Sequence, residues 1–127
     1  MKRTILLAGV AVLSGCVSAE QLDKIYGSQT PPTAAERAAA VAYIKTTFYD
    51  PYSIRDASIS NAMTLLDTGY RSICVRFNAK NRMGGYVGMT STSLRFQGAN
   101  VVSSFQDAPG CNNAKLAYSA FPELENL

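Results

Sequence analysis

Cys16, Cys74 and Cys111 carry the most reactive side chains in a chain that has no histidine. A thiolate becomes a nucleophile or a metal ligand when a neighbour lowers its pKa, and the usual neighbour is an imidazole. Its absence excludes Ser-His-Asp and Cys-His catalysis of the ordinary kind and removes the commonest metal ligand. Asp50, Asp56 and Asp67 are the remaining acid–base candidates, but nothing in their spacing requires a general acid to face a general base. The chain reads as a non-enzyme, with no catalytic residue, no metal and no cofactor. Recognition chemistry is concentrated elsewhere, in Asn78 to Gly88. Asn78 and Asn81 suit bonds to backbone groups that fix a turn. Lys80 and Arg82 present charge at its tip, and Gly85 and Gly88 allow close approach of another backbone or a ligand. Two readings fit. One is a recognition loop for an anionic or peptide partner, made of Asn78, Lys80, Asn81, Arg82 and Tyr86 with Arg76 from the preceding strand. The other is a turn whose asparagines replace missing ladder bonds.

The cysteine at position 16 has a context of its own. Met1-Lys2-Arg3 is a basic start, Thr4 to Val12 is almost wholly apolar, and Leu13-Ser14-Gly15 precede Cys16. A basic n-region, a short apolar h-region and small residues before a cut are the parts of a secretory signal. The run from Ile5 to Leu13 is too short for a membrane span, which takes about 20 residues as a helix. Leu13-Ser14-Gly15-Cys16 resembles the signal box of bacterial lipoproteins. That resemblance implies cleavage before Cys16, a diacylglycerol on its sulfur and an acyl chain on the new amine. Val17 and Ser18 follow the cysteine, with no Asp directly after it. In enterobacterial lipoproteins that pattern implies the outer membrane. The alternative is a plain secretory signal cut near Ser18-Ala19. Cys74 to Gly88 also resembles a segment of small exported proteobacterial lipoproteins that have no assigned activity; it supports an α+β reading and carries over no catalytic residue.

Processing changes the charge. The whole chain has 12 Lys and Arg against 9 Asp and Glu, and losing Lys2 and Arg3 with the signal leaves +1. That balance gives no argument for nucleic acid. Position matters more than the total. Thr68 to Gln106 holds no Asp or Glu but does hold Arg71, Arg76, Lys80, Arg82 and Arg95. Such a stretch forms either a basic face for lipid phosphates or an acidic protein, or an ordinary solvated face balanced by the acidic flanks. With Cys16 lipidated, Cys74 and Cys111 are left as an even pair in an oxidising compartment. They form a disulfide in one reading and two separate thiols in the other.

The elements that must position these residues follow from the pattern. Residues 1–15 are a signal peptide. Residues 16–32 are the lipidated cysteine and a flexible tether ending in Pro31-Pro32, in which a helical turn around Glu20 to Ile25 has no strong cap. Residues 33–127 form one small domain. Thr33-Ala34-Ala35-Glu36 is a capping box, and Val41, Ile44 and Phe48 make an apolar stripe that Pro51 ends. Tyr70 to Ala79 alternates, with Ile73, Val75 and Phe77 on one face and Ser72, Cys74 and Arg76 on the other. Tyr86 to Phe96 reads as the next strand, with a parity change within Thr90 to Ser93 that calls for a bulge. Val101 to Phe105 is the last strand, and Cys111 to Leu127 is irregular, anchored by Leu116, Tyr118 and Phe121. The fold class is α+β: one N-terminal helix on a three- to four-stranded antiparallel sheet, in two layers. Five tyrosines at 43, 49, 52, 70 and 86 either complete the core or form a stacking surface.

These readings converge on a lipid-anchored, non-enzymatic binding or scaffolding module at the periplasmic face of the outer membrane. Its expected partners are the membrane, through the N-terminal lipid, and an anionic envelope component or an envelope protein. Two other functions fit: a domain that binds lipid, lipopolysaccharide or peptidoglycan fragments, and a small inhibitor of an envelope hydrolase that inserts loop 80–85.

Overall fold

The computed structural model describes residues 17–127; the signal segment and Cys16 lie outside the described residues. Helices pack against one antiparallel sheet, as the alternation of apolar positions requires. The sheet is larger than expected, with six strands in place of three or four. In chain order the elements are α1 (Ala19–Gly27), α2 (Ala34–Thr47), β1 (Arg55–Ser60), β2 (Met63–Thr64), β3 (Arg71–Asn78), β4 (Thr90–Gln97), β5 (Asn100–Gln106), β6 (Tyr118–Ala120) and α3 (Pro122–Glu125). The strands lie in the order β5-β4-β3-β1-β6, with β2 also paired to β3.

The capping box at Thr33 and Glu36 starts α2 as expected. Ala40 and Ile44 are buried on one face of the sheet, against Ile73, Val75, Phe77, Leu94 and Phe96. Phe48 meets Phe77 edge-on, with ring centres 5.1 Å apart. The C-terminal stretch is not irregular. Phe121 and Leu124 are fully buried in the same core, and the Glu125 carboxylate accepts the Ala57 amide at 2.7 Å. That bond repairs a break in β1, where the register to β3 shifts between Arg55 and Ser58 and Asp56 takes a φ of 56°. A backbone amide turned out of its ladder needs such a partner.

The other sheet face holds a second, smaller core, and here the expected tether is corrected. Ser18 accepts the Gln21 amide while the Gln21 side chain accepts the Ser18 amide. This is a second capping box, and it starts α1 inside the segment expected to be flexible. Tyr26 is buried with Met63, Cys74, Cys111 and Leu116, and its hydroxyl donates to the Gly110 carbonyl at 2.9 Å. Thr30 pairs with Ala62 in both directions. The folded part of the chain therefore reaches back to Ser18, well before Thr33.

Cys74 and Cys111 are joined by a disulfide, with Cα atoms 5.6 Å apart. Cys74 points away from α2, so the bond draws the C-terminal segment across the opposite face. The expected strand from Tyr86 is also corrected: β4 starts only at Thr90, and Val87 and Met89 are exposed. The parity change has that simple cause. Residues before Thr90 are loop, and the real irregularity lies opposite β5, between Arg95 and Phe96.

Candidate functional site

The acid-free stretch does not form a single basic face. Its five cations go to four places. Arg71 reaches back to Glu36, with Nε 2.9 Å and Nη2 3.1 Å from the carboxylate. Glu36 is only 3% exposed. Burial pushes its pKa up, but hydrogen bonds from Arg71 and Thr33 and the charge of Arg71 outweigh this, so the carboxyl lies below its ordinary value. Arg76 stacks on Tyr118 at 3.9 Å and donates to the Cys111 carbonyl and to Asn112 Oδ1. Burial pushes the Tyr118 phenol up to about 12, against the opposing charge of Arg76. Arg76 thus holds the C-terminal segment to the sheet and does not join the hairpin. Lys80 and Arg82 stand at the far end of β3, and Arg95 stands near its start, opposite Ser72.

The far end of β3 is where recognition chemistry gathers. Asn81 Oδ1 accepts the amides of Met83 and Gly85 at 3.0 and 3.2 Å. Asn78 Oδ1 accepts the Gly88 amide at 3.0 Å. Both asparagines therefore shape the turn, while Gly84 and Gly88 take φ values of 79° and 93° that a side chain would strain. The hairpin is also fixed to the segment after α2. The Lys80 amide donates to Ser53 Oγ at 2.8 Å, and the Tyr86 hydroxyl donates to the Ser53 carbonyl at 2.9 Å.

These bonds bring together residues that sequence spacing kept apart. Arg55 lies 3.6 Å from the centre of the Tyr86 ring, with Lys80 at 5.6 Å. Arg82 lies 4.9 Å from the Tyr49 ring and Lys45 5.8 Å from the Tyr52 ring. Contacts of this length hold a cation over an aromatic face. Tyr49 and Tyr52 are 61% and 67% exposed, and Met83 at the tip is 93% exposed. A cleft of ≈ 330 Å³ adjoins this surface, lined by Phe48, Tyr49, Asp50, Lys80, Asn81 and Val87. Of the candidate residues, Lys80, Arg82 and Tyr86 thus share one surface, with Asn78 and Asn81 beneath it. Lys45 and Arg55 are additions. Their only signal in the sequence was proximity to Tyr49 and Tyr52 around Pro51, which ends a helix and turns the chain back. Tyr43 and Tyr70 do not join the surface; Tyr43 instead bonds Ser104 at 2.7 Å.

Asp50, Asp56 and Asp67 are not gathered into a site, and no group of three or more acidic or cysteine side chains is placed to hold a metal among the described residues. What the surface offers is a set of planar faces with cations already over them. That suits sugar rings, planar side chains and anionic groups. No family model, no curated protein and no solved structure matches this chain, so the surface rests on its own geometry.

Proposed function

We propose that the chain is a lipid-anchored protein of the bacterial cell envelope. It acts as a non-enzymatic binding or scaffolding module at the periplasmic face of the outer membrane. Cys16 carries the lipid, and the hairpin end carries the contact with an anionic envelope component or an envelope protein. The observation that supports this most is the surface of Tyr49, Tyr52 and Tyr86, each with a cation over its ring. Exposed aromatics and arginines are the residues that most often dominate binding energy. Charge reversal tests it. Lys80→Glu/Arg82→Glu, crosslinked in cells and purified, is expected to lose the partner captured by the parent. The same partner recovered in equal yield would overturn the assignment.

A second reading is favoured by one feature. Met83 projects from a turn that Asn81 makes rigid, which is the form of a loop that enters the cleft of an envelope hydrolase. Met83→Asp separates the two: an inhibitor loses potency, whereas binding through the tyrosine–cation surface persists. An internal lipid cavity has less support. The space between α2 and the sheet is filled by Ile44, Phe77, Leu94 and Phe96, all at most 1% exposed.

A further inference from the structure

The lipid anchor in this reading has almost no slack. Ser18 already caps α1, so only Val17 separates Cys16 from folded structure. Two consecutive Cα steps span at most about 7 Å. Acyl chains on Cys16 must then enter the bilayer beside the first turn of α1, and whatever the protein presents there is pressed against lipid.

What it presents is specific. Val17 and, on one side of α1, Gln21 and Ile25 face Leu65, Leu66, Asp67 and Arg95 across an open cleft of ≈ 420 Å³. Val17 is 57% and Leu66 52% exposed. Arg95 makes no ion pair among the described residues. Of the acids nearby, Glu20 pairs with Lys24 and Asp23 with Lys115, while Asp67 accepts the Thr68 amide and pairs with no cation among the described residues. The same sheet face continues over β4 and β5, where Phe105, opposite Ser93, is exposed. Apolar side chains around a cation with a long apolar stem are what an interfacial surface offers to anionic lipid.

We propose that this end of the domain rests on the bilayer. Val17 and Leu66 enter the boundary between headgroups and acyl chains, and Arg95 meets lipid phosphate, with Phe105 at the rim. The proposal rests on acylation of Cys16. The hairpin sits at the opposite end of β3, and eight residues of strand rise roughly 25 Å. The tyrosine–cation surface is therefore held away from the membrane, toward the compartment.

The chain has no tryptophan, so single reporters are clean. Acylated Leu66→Trp and Met83→Trp proteins are placed in vesicles of phosphatidylethanolamine with a minority of phosphatidylglycerol, a fraction of the acyl chains being brominated. Fluorescence of the Leu66→Trp protein is expected to be quenched about twofold or more, and that of the Met83→Trp protein not detectably, as burial in the interface requires. Adding Arg95→Glu to the Leu66→Trp protein is expected to reduce the quenching. Equal quenching in the two reporter proteins, or more in Met83→Trp, would overturn the orientation while leaving the anchor in place. A purified product whose mass shows no acyl group on Cys16 would remove the proposal together with the reading on which it rests.

Discussion

Glu36 does two jobs with one carboxylate. It closes the capping box of α2 through Thr33, and it takes two hydrogen bonds from Arg71 on β3. The first job was legible at three-residue spacing. The second was not, because Arg71 lies 35 residues on. Removing one partner of a buried pair strands the other, at a cost of roughly 3–5 kcal/mol when both are buried. Arg71 is 30% exposed, so Glu36→Gln, which keeps the cap oxygen, is expected to cost about 2 kcal/mol at neutral pH. The pH dependence has a definite sign. The folded carboxyl lies below its ordinary value of 4.5, so its contribution is fully present above that value and is lost as pH falls through the folded pKa. Urea unfolding of parent and Glu36→Gln should differ at neutral pH, and the gap should close as pH falls through that range. An equal gap at both extremes would show that the charge is not the source.

At the scale of elements, legibility followed locality. The α2 cap and stripe, and the alternation along β3, are written in consecutive residues, and both elements stand where they were expected. The sequence offers only an uncapped helical turn at Glu20 to Ile25 where α1 stands, although Ser18 and Gln21 have the same cap spacing as Thr33 and Glu36. The polar composition of α1 hides an inward side formed by Ile25 and Tyr26, whose partners lie far along the chain at Ala108, Cys111 and Leu116. The strand β6 was missed because three residues carry no period; it exists because β1 offers it an edge. The turn-forming role of Asn78 and Asn81 was legible from residue type, whereas Arg55 entered the surface only through the fold. If α1 is held by Tyr26 more than by its own propensity, Tyr26→Ala should cost roughly 3–5 kcal/mol. Hydrogen exchange should then show α1 amides opening while those of α2 and β3 stay protected. Uniform loss of protection would mean that α1 is inseparable from the main core.

For the whole molecule, the unequal cores on the two sheet faces explain why the disulfide lies where it does. Phe77, Phe96, Ile44 and their neighbours seal one face with a large apolar core, joined by the Glu36–Arg71 pair. The other face has a cluster of six buried residues, too few to hold α1 and the segment from Ala108 to Leu116 by burial alone. Cys74 and Cys111, both at most 1% exposed, tie that segment to the central strand, and Arg76 and Tyr118 both donate to the Cys111 carbonyl. Closing 37 residues of sequence lowers the entropy of the unfolded chain and contributes roughly 4 kcal/mol. The double variant Cys74→Ala/Cys111→Ala should lose about that much, seen as a fall in Tm of roughly 15 °C or more. Because the bond acts chiefly on the unfolded state, the slope of ΔG against urea should rise as the unfolded chain exposes more surface. A loss below about 1 kcal/mol would mean that the small core and the arginine clamp hold the second face without the bond.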